Sequence, residues 1–142
     1  MRLRQTNFCA NLYAMTNAFP HSAKAMTFIV TRDRDKSKAF YRDVLGFNMC
    51  YEDQFAAVFD LNGTSLRIST VPEFQPQAHT VLGWQVPDIA ASVKSLTAKG
   101  VRFTIYNGRG QDDMAIWTAP GGRAKVAWFL DPDGNNLSLS QL

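Results

Sequence analysis

DLNGTSLRIS, residues 60–69, returns as DPDGNNLSLS at residues 131–140, with Asp60, Gly63, Leu66 and Ser69 meeting Asp131, Gly134, Leu137 and Ser140 at a constant offset of 71. Each copy reads as a tight turn, Asn62-Gly63 or Asp133-Gly134, running into an alternating strand. Upstream, TRDRDKSKAFYRDVLGF (31–47) matches VPDIAASVKSLTAKGVRF (86–103), Asp33 with Asp88 at an offset of 55 and Gly46 with Gly100 at 54. The offset then grows by seventeen, which places an insertion in the second copy, most economically NGRGQDDMAIWTAPGG at 107–122. The chain is a duplication of one module, and the module is the unit whose fold has to be explained.

Local signals give that module one order. An apolar strand, about 26–31 and again 80–86, ends at an Asp able to accept from the first free N–H groups of a helix, and the helix stops at a Gly suited to a left-handed cap. The second helix buries Ile89, Val93 and Leu96 at i, i+4, i+7; the first does the same with Phe40 and Val44, flanked by Tyr41 and Leu45. Three strands are expected next: FNMCYED, FAAVFDL and TSLRIST in module one (25–71), VRFTIYN, KVAWFLD and NLSLSQ in module two (79–142). The fold class is α+β, strand-helix-strand-strand-strand given twice.

Composition narrows the function classes. At 142 residues and 46% hydrophobic the chain is one domain of ordinary size. Its apolar runs break within about eight residues, far short of the roughly 18 that a membrane span needs. The net charge of +3 is local: Arg2, Arg4, Lys24 and Arg32 precede the first acid, Asp33, leaving eleven of the fifteen basic residues against all twelve acidic ones. No basic stripe interleaved with aromatics runs through the body, which argues against nucleic acid as a partner. The arm, residues 1–24, lacks the continuous apolar core of a secretory signal and reads as a loose extension. Cys9 and Cys50 form no spaced motif, so two free thiols in a reducing cytoplasm are expected.

KAFYRDVLGF after a strand and an Asp, VPDIAASVKSL after the next strand, and WFLDPDGNNLSLSQ at the end together resemble the vicinal oxygen chelate superfamily, which includes glyoxalase I, extradiol dioxygenases and bleomycin-resistance proteins. The resemblance runs from about Ala25 to Leu142 as a single domain. It implies tandem βαβββ modules forming a curled, cup-like mixed sheet with the helices outside, and often a homodimer in which one chain's module completes the partner's cup. It also implies a divalent metal held by His, Glu or Gln at four positions, which fall here on Met26, Arg67, Val81 and Ser138. None suits zinc, iron or manganese: a soft thioether, a guanidinium that repels cations, a side chain without a donor, and a neutral hydroxyl. No metal and no cofactor are therefore expected.

Strand alternation sorts the cup's lining. Leu66 and Ile68, Leu137 and Leu139, and Leu82, Trp84 and Val86 are the apolar set that goes under the helices. The opposite face then carries Ser65, Arg67, Ser69, Asn136, Ser138, Ser140, Val81, Gly83 and Gln85. Met26, Phe28 and Val30 fall in phase with Val81, Gly83 and Gln85, so the first strand gives this face one apolar wall. Arg67 is the central candidate: on a concave face its planar fork seeks a carboxylate or phosphate of a ligand, or else an internal acid such as Glu52 or Asp60. Trp117 lies in the Gly-bracketed insertion, where it either closes a lid or anchors the loop; Asp112 and Asp113 read as solvated charge.

The expected ligand-binding residues are Met26, Phe28, Arg67, Val81, Gln85, Trp117 and Ser138. The expected function is metal-independent binding of a small molecule with an apolar or aromatic body and an anionic or oxygen-rich group, by a cytoplasmic homodimer. The alternative is a lyase, isomerase or dioxygenase of the same superfamily with an atypical or absent metal site, whose base would be sought among His79, Glu52 and Tyr51; no catalytic residue is assigned.

Overall fold

Asp33 and Asp88 start the two helices in nearly the same backbone conformation, φ −134° and ψ 98° against φ −140° and ψ 99°. Each carboxylate accepts from the amide three residues on, Lys36 N at 3.1 Å and Ala91 N at 3.0 Å. Gly46 and Gly100 lie just past the helical segments at φ 82° and 93°, the region open to glycine. The duplication read from the sequence is thus a duplication of geometry. These features belong to a computed structural model that describes residues 18–142; most of the N-terminal arm and Cys9 lie outside the described residues, and Cys50 is a free, exposed thiol.

Module one contains β1 (Met26–Thr31), α1 (Arg34–Ala39), a π-helical turn (Phe40–Val44), β2 (Asn48–Glu52), β3 (Ala56–Asp60) and β4 (Ser65–Thr70). Module two contains β5 (Leu82–Gln85), α2 (Ile89–Ala98), β6 (Trp117–Thr118), β7 (Lys125–Leu130) and β8 (Asn136–Gln141). They form two four-stranded mixed sheets, β1-β4-β3-β2 and β5-β8-β7-β6. The first strand of each module lies parallel to its last, with Phe28 opposite Arg67 and Gly83 opposite Ser138. No helix of the described residues is long and apolar enough to cross a membrane.

The helices cover one face of each sheet, and those faces share a core. Leu66, Ile68, Ala57 and Phe59 from the first sheet join Ala127, Phe129, Leu137 and Leu139 from the second and Ile89 and Val93 from α2 in one buried cluster. The π-helical turn widens the spiral, with Leu45 N donating to Phe40 O at 2.9 Å, and brings the adjacent rings of Phe40 and Tyr41 inward together. Phe40 packs on Phe129 at a centroid distance of 6.5 Å, and Phe47 stacks on Trp84 at 5.4 Å, so residues after α1 bridge to the second sheet. A buried polar joint completes the bridge. Tyr41 donates to Asp131 (2.9 Å), Arg32 N to Asp133 (2.9 Å), Asn135 Nδ2 to Val30 O (3.1 Å), and the Thr31 hydroxyl to Asp133.

The expected strand VRFTIYN does not form as a whole. Phe103 makes one antiparallel bridge to Phe129 and Thr104 N donates to Trp128 O, but the ladder stops there and resumes only where β6 pairs with Lys125 and Val126. Gln111 explains the break: its amide donates to Thr104 O and Ala115 O and accepts from Tyr106 N, satisfying backbone groups that would otherwise seek a strand partner. Module two's edge position is thus filled by two pieces of chain separated by a detour, where module one has the continuous β2.

Candidate functional site

The residues alternate with those of the shared core, so both concave faces point away from it. Across the first sheet, Phe28, Arg67, Val58 and Tyr51 form one row through the pairings β1–β4–β3–β2. Phe28 is 65% exposed, and Met26 and Tyr51 are also exposed. An exposed Phe ring on the face of the edge strand β1 leaves apolar area in water that burial by a partner or ligand would recover at about 25 cal/mol per Å².

Arg67 stands beside Phe28, on the neighbouring strand of this wall. Its Nη2 lies 3.8 Å from Asp53 Oδ2, and neither Glu52 nor Asp60, the internal acids weighed against a ligand, is its partner. Glu52 is taken by Lys38 at 2.9 Å, and Asp60 accepts from Gly63 N in the turn. The Asp53 carboxyl is kept below its ordinary range first by the amides of Phe55 and Ala56 (both 2.8 Å), then by Arg67 and Arg34. The Arg67 contact is long and its partner already well bound, so the guanidinium retains free donors on the concave face.

The second sheet repeats the register with different contents. Gly83, Ser138 and Trp128 form one row, and Gln85, Ser140, Val126 and Trp117 the next. The sequence-expected Val81, Gln85, Trp117 and Ser138 therefore share one face, while Met26, Phe28 and Arg67 share the other; one chain does not bring the two groups together. Ser138 leans over Gly83 so closely that a Cβ there would stand 2.5 Å from its Oγ. Trp117 belongs to a strand and its ring lies 6.3 Å from Trp128, and the preceding Ala115 and Ile116 are buried. The insertion is tied down along its length. Asp112 is one of the ties, accepting from Met114 N and Ile116 N, a role beyond solvated charge.

Sequence reasoning did not single out Trp128, Tyr106 or Arg109. Tyr106 meets Trp128 edge-on at 5.5 Å, and the Arg109 guanidinium lies over both rings at 5.4 and 5.2 Å. The alternation in KVAWFLD does place Trp128 out of phase with Ala127 and Phe129, which was the available signal. His79 borders a hollow of about 270 Å³ beside these rings.

The metal positions implied by the family resemblance were Met26, Arg67, Val81 and Ser138. Met26 and Arg67 lie on one sheet's face, and Val81 and Ser138, its hydroxyl folded over Gly83, lie on the other's. These residues do not fit a divalent ion, and among the described residues no group of three or more His, Cys, Asp or Glu is gathered. Of the candidate bases, Glu52 pairs with Lys38 on the helix side and Tyr51 alone lies on the first sheet's concave face.

The model of the Glyoxalase/Bleomycin resistance protein/Dioxygenase superfamily matches residues 20–139. No curated protein matches the chain. Among solved structures, a bleomycin-binding protein complexed with bleomycin is similar at 24% identity and a TM-score of 0.66, over 85% of this chain and 99% of that one. An antibiotic-binding protein from Streptomyces sp. CB03234 is similar at 23% identity and a TM-score of 0.64, over 89% and 98%. A glyoxalase family protein from Enterococcus faecalis is similar at 19% identity and a TM-score of 0.67, over 84% and 98%. At these identities the likeness is one of fold.

Proposed function

The chain belongs to the glyoxalase/bleomycin resistance protein/dioxygenase superfamily, and from that premise we propose that it is a metal-independent small-molecule binding protein acting as a cytoplasmic homodimer. The ligand has an aromatic or apolar body and an anionic or oxygen-rich group. The observation that carries this reading is the pairing of Phe28 with Arg67 on an open concave face: a 65% exposed ring beside a guanidinium with free donors. Two structural neighbours, one bound to bleomycin and one named for antibiotic binding, support ligand capture as the use of such a face. Because one chain's two concave faces point away from their common core, a second copy supplies the opposite wall: Phe28 and Arg67 of one protomer would face Ser138, Trp128 and Trp117 of its partner. The free Cys50 thiol is consistent with a reducing compartment.

The test is a thermal-shift and calorimetric screen of metal-free protein against glycopeptide and aromatic carboxylate antibiotics, with sedimentation to fix the oligomer. A hit raises Tm in proportion to ln(1 + [L]/Kd). Arg67→Gln lowers affinity for that hit about tenfold or more, the scale of a charge-assisted hydrogen bond worth about 1.5–3 kcal/mol. Stoichiometric zinc, iron, nickel or manganese in the purified protein, with binding lost on chelation, overturns the metal-free reading.

A further inference from the structure

The detour of the inserted segment has a consequence on the helix side of the molecule. Between α2 and residues 101–115 runs a groove of about 780 Å³, within the range of small-molecule pockets. Its walls are apolar: Val93 and Ala98 from α2, Phe103 and Ile105 from the broken edge, Met114 from the insertion. Ile105 is 60% exposed there. The charged groups at the groove are Lys94, Arg102 and Asp113. Lys94 and Arg102 make neither a hydrogen bond nor an ion pair with any described residue. In module one the edge strand is continuous and no described segment detours beside α1.

We propose that this groove is a second ligand site, separate from the concave faces, taking an apolar molecule that ends in a single carboxylate. Charge complementarity selects the occupant. The apolar walls offer partial burial to an alkyl or aryl body, and two unpaired cations against one acid favour an anionic end over a neutral or cationic one. The groove exists because Gln111 and Asp112 hold the insertion in a fixed course beside α2, so the site is formed before the ligand arrives.

Dodecanoate, dodecanol and dodecylammonium, each below its aggregation threshold, are titrated into the full chain by calorimetry and by NMR. Dodecanoate is expected to saturate one site per chain and to bind several-fold more tightly than dodecanol, with dodecylammonium weakest; an exposed charge contact accounts for a factor of about two to five. Ala98→Trp, which fills the groove from an exposed helix position, is expected to weaken dodecanoate at least tenfold, while Phe28→Ala leaves it unchanged. If Ala98→Trp fails to fold, Thr97→Trp on the same exposed edge replaces it. Three results overturn the proposal: no saturation below about 1 mM, where binding free energy falls to about −4 kcal/mol; equal affinity for the three head groups; or binding lost in Phe28→Ala and kept in the groove variant. The last result would place the ligand on the concave face and leave the proposed function standing.

Discussion

From the first strand through the helix, and again on the last strand, the two modules share a backbone and differ in what they hang on it. Phe28 and Gly83 occupy equivalent places on the first strands, as Arg67 and Ser138 do on the last. One concave face therefore offers a ring and a cation, the other a small residue and a hydroxyl backed by Trp128. The turn acids have diverged in the same way. Asp60 is exposed and caps its own turn through Gly63 N, whereas Asp131 is buried and accepts from Tyr41, Asn135 and Asp133. Duplication preserved what sets the register and released what sets the chemistry.

The largest expected effect concerns the turn acids. Tyr41→Phe removes a donor from a buried carboxylate and should destabilise the fold by about 2 kcal/mol in urea unfolding, since hydrogen bonds to charged groups contribute about 1.5–3 kcal/mol. Asp60→Asn, at the place in module one equivalent to Asp131, should stay within about 0.5 kcal/mol because its carboxylate is solvated. Equal losses would mean that the two turns carry the same load and that the asymmetry described here is only one of surface exposure.

Next comes the first-strand position. Gly83→Ala puts a methyl 2.5 Å from Ser138 Oγ and 3.2 Å from Ser138 O. The hydroxyl can rotate away but the carbonyl cannot, so a cost of about 1 kcal/mol is expected, at the low end for overpacking. Phe28→Ala should leave Tm nearly unchanged and weaken ligand binding instead. If Phe28→Ala destabilises as much as Gly83→Ala, the exposed ring is structural and the concave wall of module one is not a free binding surface.

Much of this contrast is legible in the sequence. The N-cap acids, the capping glycines, the turns and the sorting of Arg67 and Ser138 away from Leu66 and Leu137 all follow from local rules whose partners lie within a few residues. The parts that escaped depend on distant partners. Nothing near Tyr41 announces Asp131, ninety residues on, and nothing in VRFTIYN announces that Gln111 will occupy the hydrogen bonds a strand would have used. Arg67 sorts to the face away from Leu66 and Ile68 by alternation, but its neighbour Asp53 was not among the internal acids, Glu52 or Asp60, offered as the alternative to a ligand, because Asp53 is placed by its own turn amides. Most of the fold was therefore readable. Strand alternation sorted the two faces, but left open whether they meet within one chain or between two.

The smallest effect tests the same asymmetry by pH. Asp53, in module one, has a folded pKa below its ordinary value of 3.8, chiefly through the Phe55 and Ala56 amides. Its charged form therefore favours the folded state above that value, and the contribution is lost as pH falls through the depressed folded pKa. Asp131, in module two, is pushed above the same ordinary value, first by burial, with its hydrogen bonds from Asn135 and Tyr41 offsetting only part. The folded chain then takes up that proton at a higher pH than the unfolded chain, so this group's contribution improves as pH falls from the raised folded pKa toward 3.8 and is flat below. Comparing wild type with Asp53→Asn, the stability advantage of wild type should be constant near neutrality and shrink below pH 3.8. Comparing wild type with Asp131→Asn, any pH-dependent part should have the opposite slope and lie above pH 3.8. Two slopes of the same sign would show that the buried acid of module two is held by its hydrogen bonds more strongly than burial disfavours its charge, and the electrostatic half of the contrast between the modules would fall.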